Sequence, residues 1–141
     1  MRCCATGLSC VLLFGALGCG GSDGPELGRV EGTVTLDGKP LPAAEVTFKP
    51  IKGRPAQATT NEEGHYELVY GPGKQGAMVG ENKISVSTRK PPEQGETLDD
   101  GRPNPDKGVP ELVPAKYNEE TTLKRDVKPG SNTIDLELQS K

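Results

Sequence analysis

The stretch VEGTVTLDGKPLPAAEVTFKP, residues 30–50, decides the fold. Counted by twos, Val30, Gly32, Val34 and Leu36 fall on one face, with Glu31, Thr33 and Thr35 on the other. Strict alternation marks a strand with one buried side. Asp37-Gly38 then turns the chain, with Pro40 and Pro42 close behind. Beyond the turn the alternation resumes, with Ala44, Val46 and Phe48 against Glu45, Thr47 and Lys49.

The same pattern continues towards the C-terminus. A break over Pro50 to Pro55 leads to a short strand at about Ala56–Thr60. Asn61-Glu62-Glu63-Gly64 follows, a turn that Asn opens and in which Gly takes positive φ. Tyr66, Leu68 and Tyr70 then alternate with His65, Glu67 and Val69. A strand over Gly80–Thr88 puts Ile84 and Val86 inside and Lys83, Ser85 and Ser87 outside. Residues 90–114 carry repeated prolines, which cannot donate to a sheet ladder, so this segment is expected to be a long, mobile or polyproline-like loop. Thr121–Lys128, with Leu123 and Val127, and Asn132–Gln139, with Ile134, Leu136 and Leu138 inside, close the chain. No window carries a helical stripe. About seven short, regularly spaced strands predict an all-β fold, an antiparallel β-sandwich of two sheets. Hydrophobic residues are 32% of the chain, so its core is small and its stability at most moderate.

Residues 30–50, followed by ATTNEEGHYEL at 58–68, resemble the carboxypeptidase regulatory-like domain. Gly32, Val34, Gly38, Leu41, Ala44, Val46, Phe48, Thr60, Gly64 and Tyr66 match the family pattern, and Asn61 stands where Asp is usual. The tail, VPAKYNEETTL and VKPGSNTIDLEL, is similar to that of small bacterial envelope lipoproteins built on this domain. The resemblance implies a transthyretin-like, seven-stranded Greek-key sandwich over residues 29–141. It implies scaffold roles for these residues and little about function.

The N-terminal segment gives an address. Met1-Arg2 is a short basic start, Cys3 to Gly18 is uncharged, and the most apolar part, Val11 to Leu17, ends at Gly18-Cys19. This is the pattern of a secretory signal, too short and too glycine-broken to span a bilayer comfortably. Ala16-Leu17-Gly18-Cys19 resembles a bacterial lipobox. That resemblance implies cleavage between Gly18 and Cys19 and a lipid on the Cys19 thiol; Cys10 has too little apolar sequence before it. Residues 1–18 are then a signal peptide and 19–28 a flexible tether rich in Gly, Ser and Asp. Gly20, rather than Asp, follows the cysteine, so the outer membrane is expected over the inner.

Composition narrows the chemistry. The net charge of −3 argues against a nucleic-acid partner. Cys3, Cys4, Cys10 and Cys19 all precede the fold, so neither a disulfide framework nor a zinc site is expected. The single histidine, His65, lies on an outer face. Asp99, Asp100, Asn104 and Asp106 cluster in the proline loop and Glu62-Glu63 at a turn, but at no calcium-loop spacing. No inward lysine exists on the first strand for an isopeptide crosslink. There is no Trp, and aromatics are only 4%, so a sugar-stacking platform rests on Tyr117 alone. No cofactor, metal or catalytic residue is expected. The expectation is a non-catalytic, lipid-anchored structural or protein-interaction module of the cell envelope, facing the periplasm or exterior. Its partner would be another envelope protein. The alternative is a glycan-binding module.

Overall fold

The computed structural model describes residues 24–90, 98–102, 104 and 108–141. The signal segment with Gly18, the first half of the tether with Cys19, and Asp106 lie outside the described residues. Twelve strands appear among those described: β1 (Leu27–Leu36), β2 (Lys39–Pro40), β3 (Glu45–Pro50), β4 (Ala56–Thr59), β5 (His65–Glu67), β6 (Val69–Gly71), β7 (Lys74–Gln75), β8 (Ala77–Met78), β9 (Gly80–Ser87), β10 (Lys124–Val127), β11 (Gly130–Thr133) and β12 (Leu136–Leu138). One 3₁₀ turn, Ala115–Tyr117, precedes β10. No helix among the described residues is long and apolar enough to cross a membrane.

The strands form two sheets. Sheet I is built on β1, whose one edge takes β8, β5 and β2 in turn and whose other edge takes β11 and then β12. Sheet II runs β10-β9-β3-β4-β6-β7. The core lies between them. Val30, Val34, Tyr66, Leu136 and Leu138 of sheet I meet Val46, Phe48, Ile84, Val86 and Val127 of sheet II, all at 2% exposure or less. The Phe48 and Tyr66 rings face each other with centroids 6.3 Å apart.

Each of the seven periodic stretches contains strand, and their inward residues are largely those the alternation selects. Asp37 (φ 51) and Gly38 (φ 80) both take the left-handed region, as a tight hairpin between β1 and β2 needs. Asn61 Oδ1 accepts from the Glu63 and His65 amides at 3.0 and 2.9 Å, and Gly64 closes the turn at φ 75.

Several features depart from the expectation. The sandwich is not wholly antiparallel, because β11 and β12 run parallel to β1. β10 descends sheet II to Val127, opposite Gly80, and the turn at 128–130 sends the chain back up beside β1 in the same direction. The last stretch is also two strands. Between them Thr33 N donates to Asp135 Oδ1 (2.9 Å), so a side chain replaces a ladder acceptor and leaves Ile134 only half-buried. The stretch 65–70 divides at Leu68, with β5 pairing β1 in sheet I and β6 pairing β4 in sheet II. Tyr70 is consequently half-buried rather than core. β1 opens at Leu27, within the segment read as tether, because Leu27 and Gly28 pair with Met78 and Ala77.

Candidate functional site

The proline loop is not wholly loose. Lys90 and Val109 form an antiparallel bridge, and the limb from 108 to 114 docks on the end of β9. Glu111 is the clip. Its carboxylate accepts from the Ser87 hydroxyl, from Thr88 N and Oγ1 (both 3.0 Å) and from Val113 N (2.9 Å). Thr88 Oγ1 in turn accepts from Leu112 N at 2.7 Å. Val113, carried in by these bonds, is 3% exposed. Sequence alone gave no sign of this knot, since its partners lie 23 and 24 residues away in a stretch with no periodicity.

Burial pushes the Glu111 carboxyl up, but the donors from Ser87, Thr88 and Val113 outweigh it and hold the group below the usual glutamate range. Such a carboxylate adds stability at pH above its unfolded value and loses it as pH falls through the lower, folded value. The limb is therefore expected to stay docked at neutral pH and to loosen as the pH drops below 4.5, the ordinary glutamate value. Glu111→Gln should cost about 1–3 kcal/mol, as loss of charge-assisted bonds does. Amide exchange at Val109 and Val113 measures both effects. Exchange unchanged by acid and by the substitution would show that Glu111 does not hold the limb.

The sequence-selected polar residues do not converge. His65 is exposed on β5, and Glu62 and Glu63 are exposed at the preceding turn. Asp100 pairs with Arg102, whose Nε donates to it at 2.7 Å, and this bond lowers the Asp100 carboxyl. Among the described residues no group of three or more His, Cys, Asp or Glu side chains is placed to hold a metal ion. Buried hydroxyls serve the backbone: Thr60 Oγ1 donates to Leu41 O (2.6 Å) and Thr121 Oγ1 to Ile84 O (2.6 Å). The Tyr66 hydroxyl donates to Ile134 O at 2.5 Å, and burial holds its pKa far above the ordinary tyrosine value.

Tyr117 sits in the 3₁₀ turn, half-buried and packed against the core. Its hydroxyl accepts from Gln139 N (3.3 Å), and Lys116 Nζ lies 5.0 Å from the ring centroid. An open hollow beside the ring is lined by Lys116, Thr122, Leu123, Lys124 and Arg125. Tyr117 thus ties the turn to the C-terminal strand and presents only part of its ring to that hollow.

No protein-family model and no curated protein sequence matches the chain. Among solved structures, a DUF3823 family protein from Parabacteroides merdae ATCC 43184 is similar at a TM-score of 0.40 and 17% identity. The match covers 82% of this chain and 47% of that one, so this chain spans about half its length. A 9R-lipoxygenase from Cyanothece PCC8801 is similar at a TM-score of 0.40 and 15% identity, over 77% of this chain and 16% of the lipoxygenase.

Proposed function

We propose that this chain is a non-catalytic module of the cell envelope, a transthyretin-like sandwich of the carboxypeptidase regulatory-like kind. On this reading it is held to a membrane by lipid on Cys19 and engages another envelope protein. The observation that carries it is the junction of address and fold: the lipobox-like Ala16-Leu17-Gly18-Cys19 ends just before the sandwich, whose first strand opens at Leu27. The use of Glu111, Tyr66, Thr60 and Thr121 as structural fasteners supports a scaffold role.

The mass of the N-terminal peptide, taken from protein made in its own cells, tests the anchor. A peptide that begins at Cys19 and carries acyl mass is the expected result. One that begins elsewhere, or has a free Cys19 thiol, overturns the anchor. Crosslinking in intact cells should then capture a protein partner, and repeated capture of none would count against an interaction module. Glycan binding is the lesser reading, favoured by the hydroxyl and cationic groups beside the Tyr117 ring. A glycan screen in which Tyr117→Ala changes nothing removes it.

A further inference from the structure

We propose that the end of the sandwich where the chain enters is a contact face for an anionic phospholipid surface, so that the domain lies against its membrane in a fixed orientation. This rests on the anchor reading above.

The register of sheet II puts three lysines side by side. Lys49 on β3 is opposite Lys83 on β9, which is opposite Lys124 on β10, and all three are exposed. Like charges directly opposite on neighbouring strands repel, at spacings of about 5 Å. Only Lys124 has an ion-pair partner among the described residues, Glu81 at 2.9 Å. Lys49 and Lys83 face solvent with their charge uncompensated. An anionic surface would relieve that repulsion.

The row belongs to a larger basic end. β3 runs down to Pro50, and the connection to β4 carries Lys52 and Arg54, both exposed. Lys74 on β7 and Lys128 after β10 lie at the same end. Against these stand Glu26, Glu81 and Asp126, the second of them already paired with Lys124. At the tip of the β3–β4 connection, among the cations, stands Ile51, 80% exposed and the most exposed large hydrophobic residue described. The opposite end carries both signs, with Glu62 and Glu63 at the β4–β5 turn and Glu119, Glu120 and Glu137 beside the C-terminus, interspersed with Lys39, Arg89, Lys116 and Lys141. In a chain whose net charge is −3, the entry end sets seven described cations against three carboxylates.

That end is also where the tether arrives. Leu27 pairs with Met78, Val79 N donates to Glu26 O at 3.0 Å, and Gly53 of the β3–β4 connection packs on the Met78 sulfur. Cys19 precedes Gly24 by five residues. Even fully extended, a chain of that length spans only about 17 Å. A lipid on Cys19 therefore holds the basic end near the headgroups, where the negative surface potential attracts Lys and Arg over about a Debye length, roughly 8–10 Å. The entry-end cations meet the surface, Ile51 reaches its boundary, and the mixed-charge end with the Glu111-clipped limb points away.

The test is hydrogen exchange of the full lipidated chain on two kinds of vesicle, pure phosphatidylcholine and phosphatidylcholine with about a third phosphatidylglycerol, the latter supplying the negative surface potential. Amides of residues 51–54 should exchange several-fold more slowly on the anionic vesicles. High salt, or Lys49→Glu with Lys52→Glu, should abolish the difference. Amides of residues 61–64 at the far end should not change, which also reports that the variant is folded. Equal exchange on both vesicles, or protection at 61–64 instead, overturns the contact face. Protection of 51–54 by a soluble polyanion but not by the anionic vesicles also overturns it, in favour of a polymeric ligand. Flotation with phosphatidylcholine alone depends on the acyl chains and reads the anchor separately. A chain that floats on both vesicles without protection keeps the anchor and loses the face. One that fails to float on phosphatidylcholine yet is protected on anionic vesicles loses the anchor and keeps the face.

Discussion

Gly32→Val should leave the sandwich largely unfolded at room temperature. A Cβ at residue 32 would overlap the Ile134 carbonyl oxygen and sit 3.2 Å from Tyr66 Cε1. The first of these is backbone and cannot swing aside. The same carbonyl accepts the Tyr66 hydroxyl bond, and Ile134 N donates to Glu31 O at 2.8 Å. Displacing residue 134 therefore breaks the seam between β1 and the C-terminal stretch and leaves a buried phenol without its acceptor. Overpacking costs about 1–3 kcal/mol, and an unsatisfied buried polar group about as much again. Domain stabilities of about 5–15 kcal/mol leave little reserve for that in a protein with so small a core. Gly38→Ala is the control. Gly38, unlike Gly32, has positive φ, but open space surrounds its Cβ position, so the change should cost only about 1 kcal/mol. Urea denaturation of both variants gives the comparison. Near-equal midpoints would mean that close approach at Gly32 does not matter.

Phe48→Ala should cost about 3–5 kcal/mol, the range for emptying a buried aromatic site. Phe48 is wholly buried in the middle of sheet II, opposite Ile84 on one side and Ala56 on the other. Its ring spans the sandwich to Tyr66. The sheets are held by pairing on both flanks, so they cannot close over the gap and most of the cavity penalty remains. Denaturant titration with unchanged slope and a lowered midpoint is the expected result. A loss below about 1.5 kcal/mol, the range of a conservative swap, would place the centre of the core elsewhere. Ile51→Ala, by contrast, should leave stability unchanged, since that side chain is 80% exposed.

Much of this architecture was legible in the chain itself. Val30 to Leu36, Ala44 to Phe48 and Ile84 to Val86 each advertise a strand through a period of two, and the buried face is the one the period selects. Asp37-Gly38 and Asn61 to Gly64 advertise their turns because positive φ and side-chain capping need those residue types. The candidate sites were less legible. Glu111 looks like any acid among prolines until Ser87 and Thr88 are brought beside it. Lys49, Lys83 and Lys124 are separate outward residues in the sequence and become one row only through strand register.

The chain by itself determined where strands form, which face each one buries and where it turns, because periodicity, turn chemistry and proline act over a few residues. It also set the lipobox-like Cys19, a local motif. Tertiary structure alone decided which sheet each strand joins, that the chain changes sheet at Leu68, that β11 and β12 run parallel to β1, and that Lys49, Lys83 and Lys124 form one row near the entry end. These depend on long-range pairing, and a strand's own residues specify its inner face without naming its neighbour.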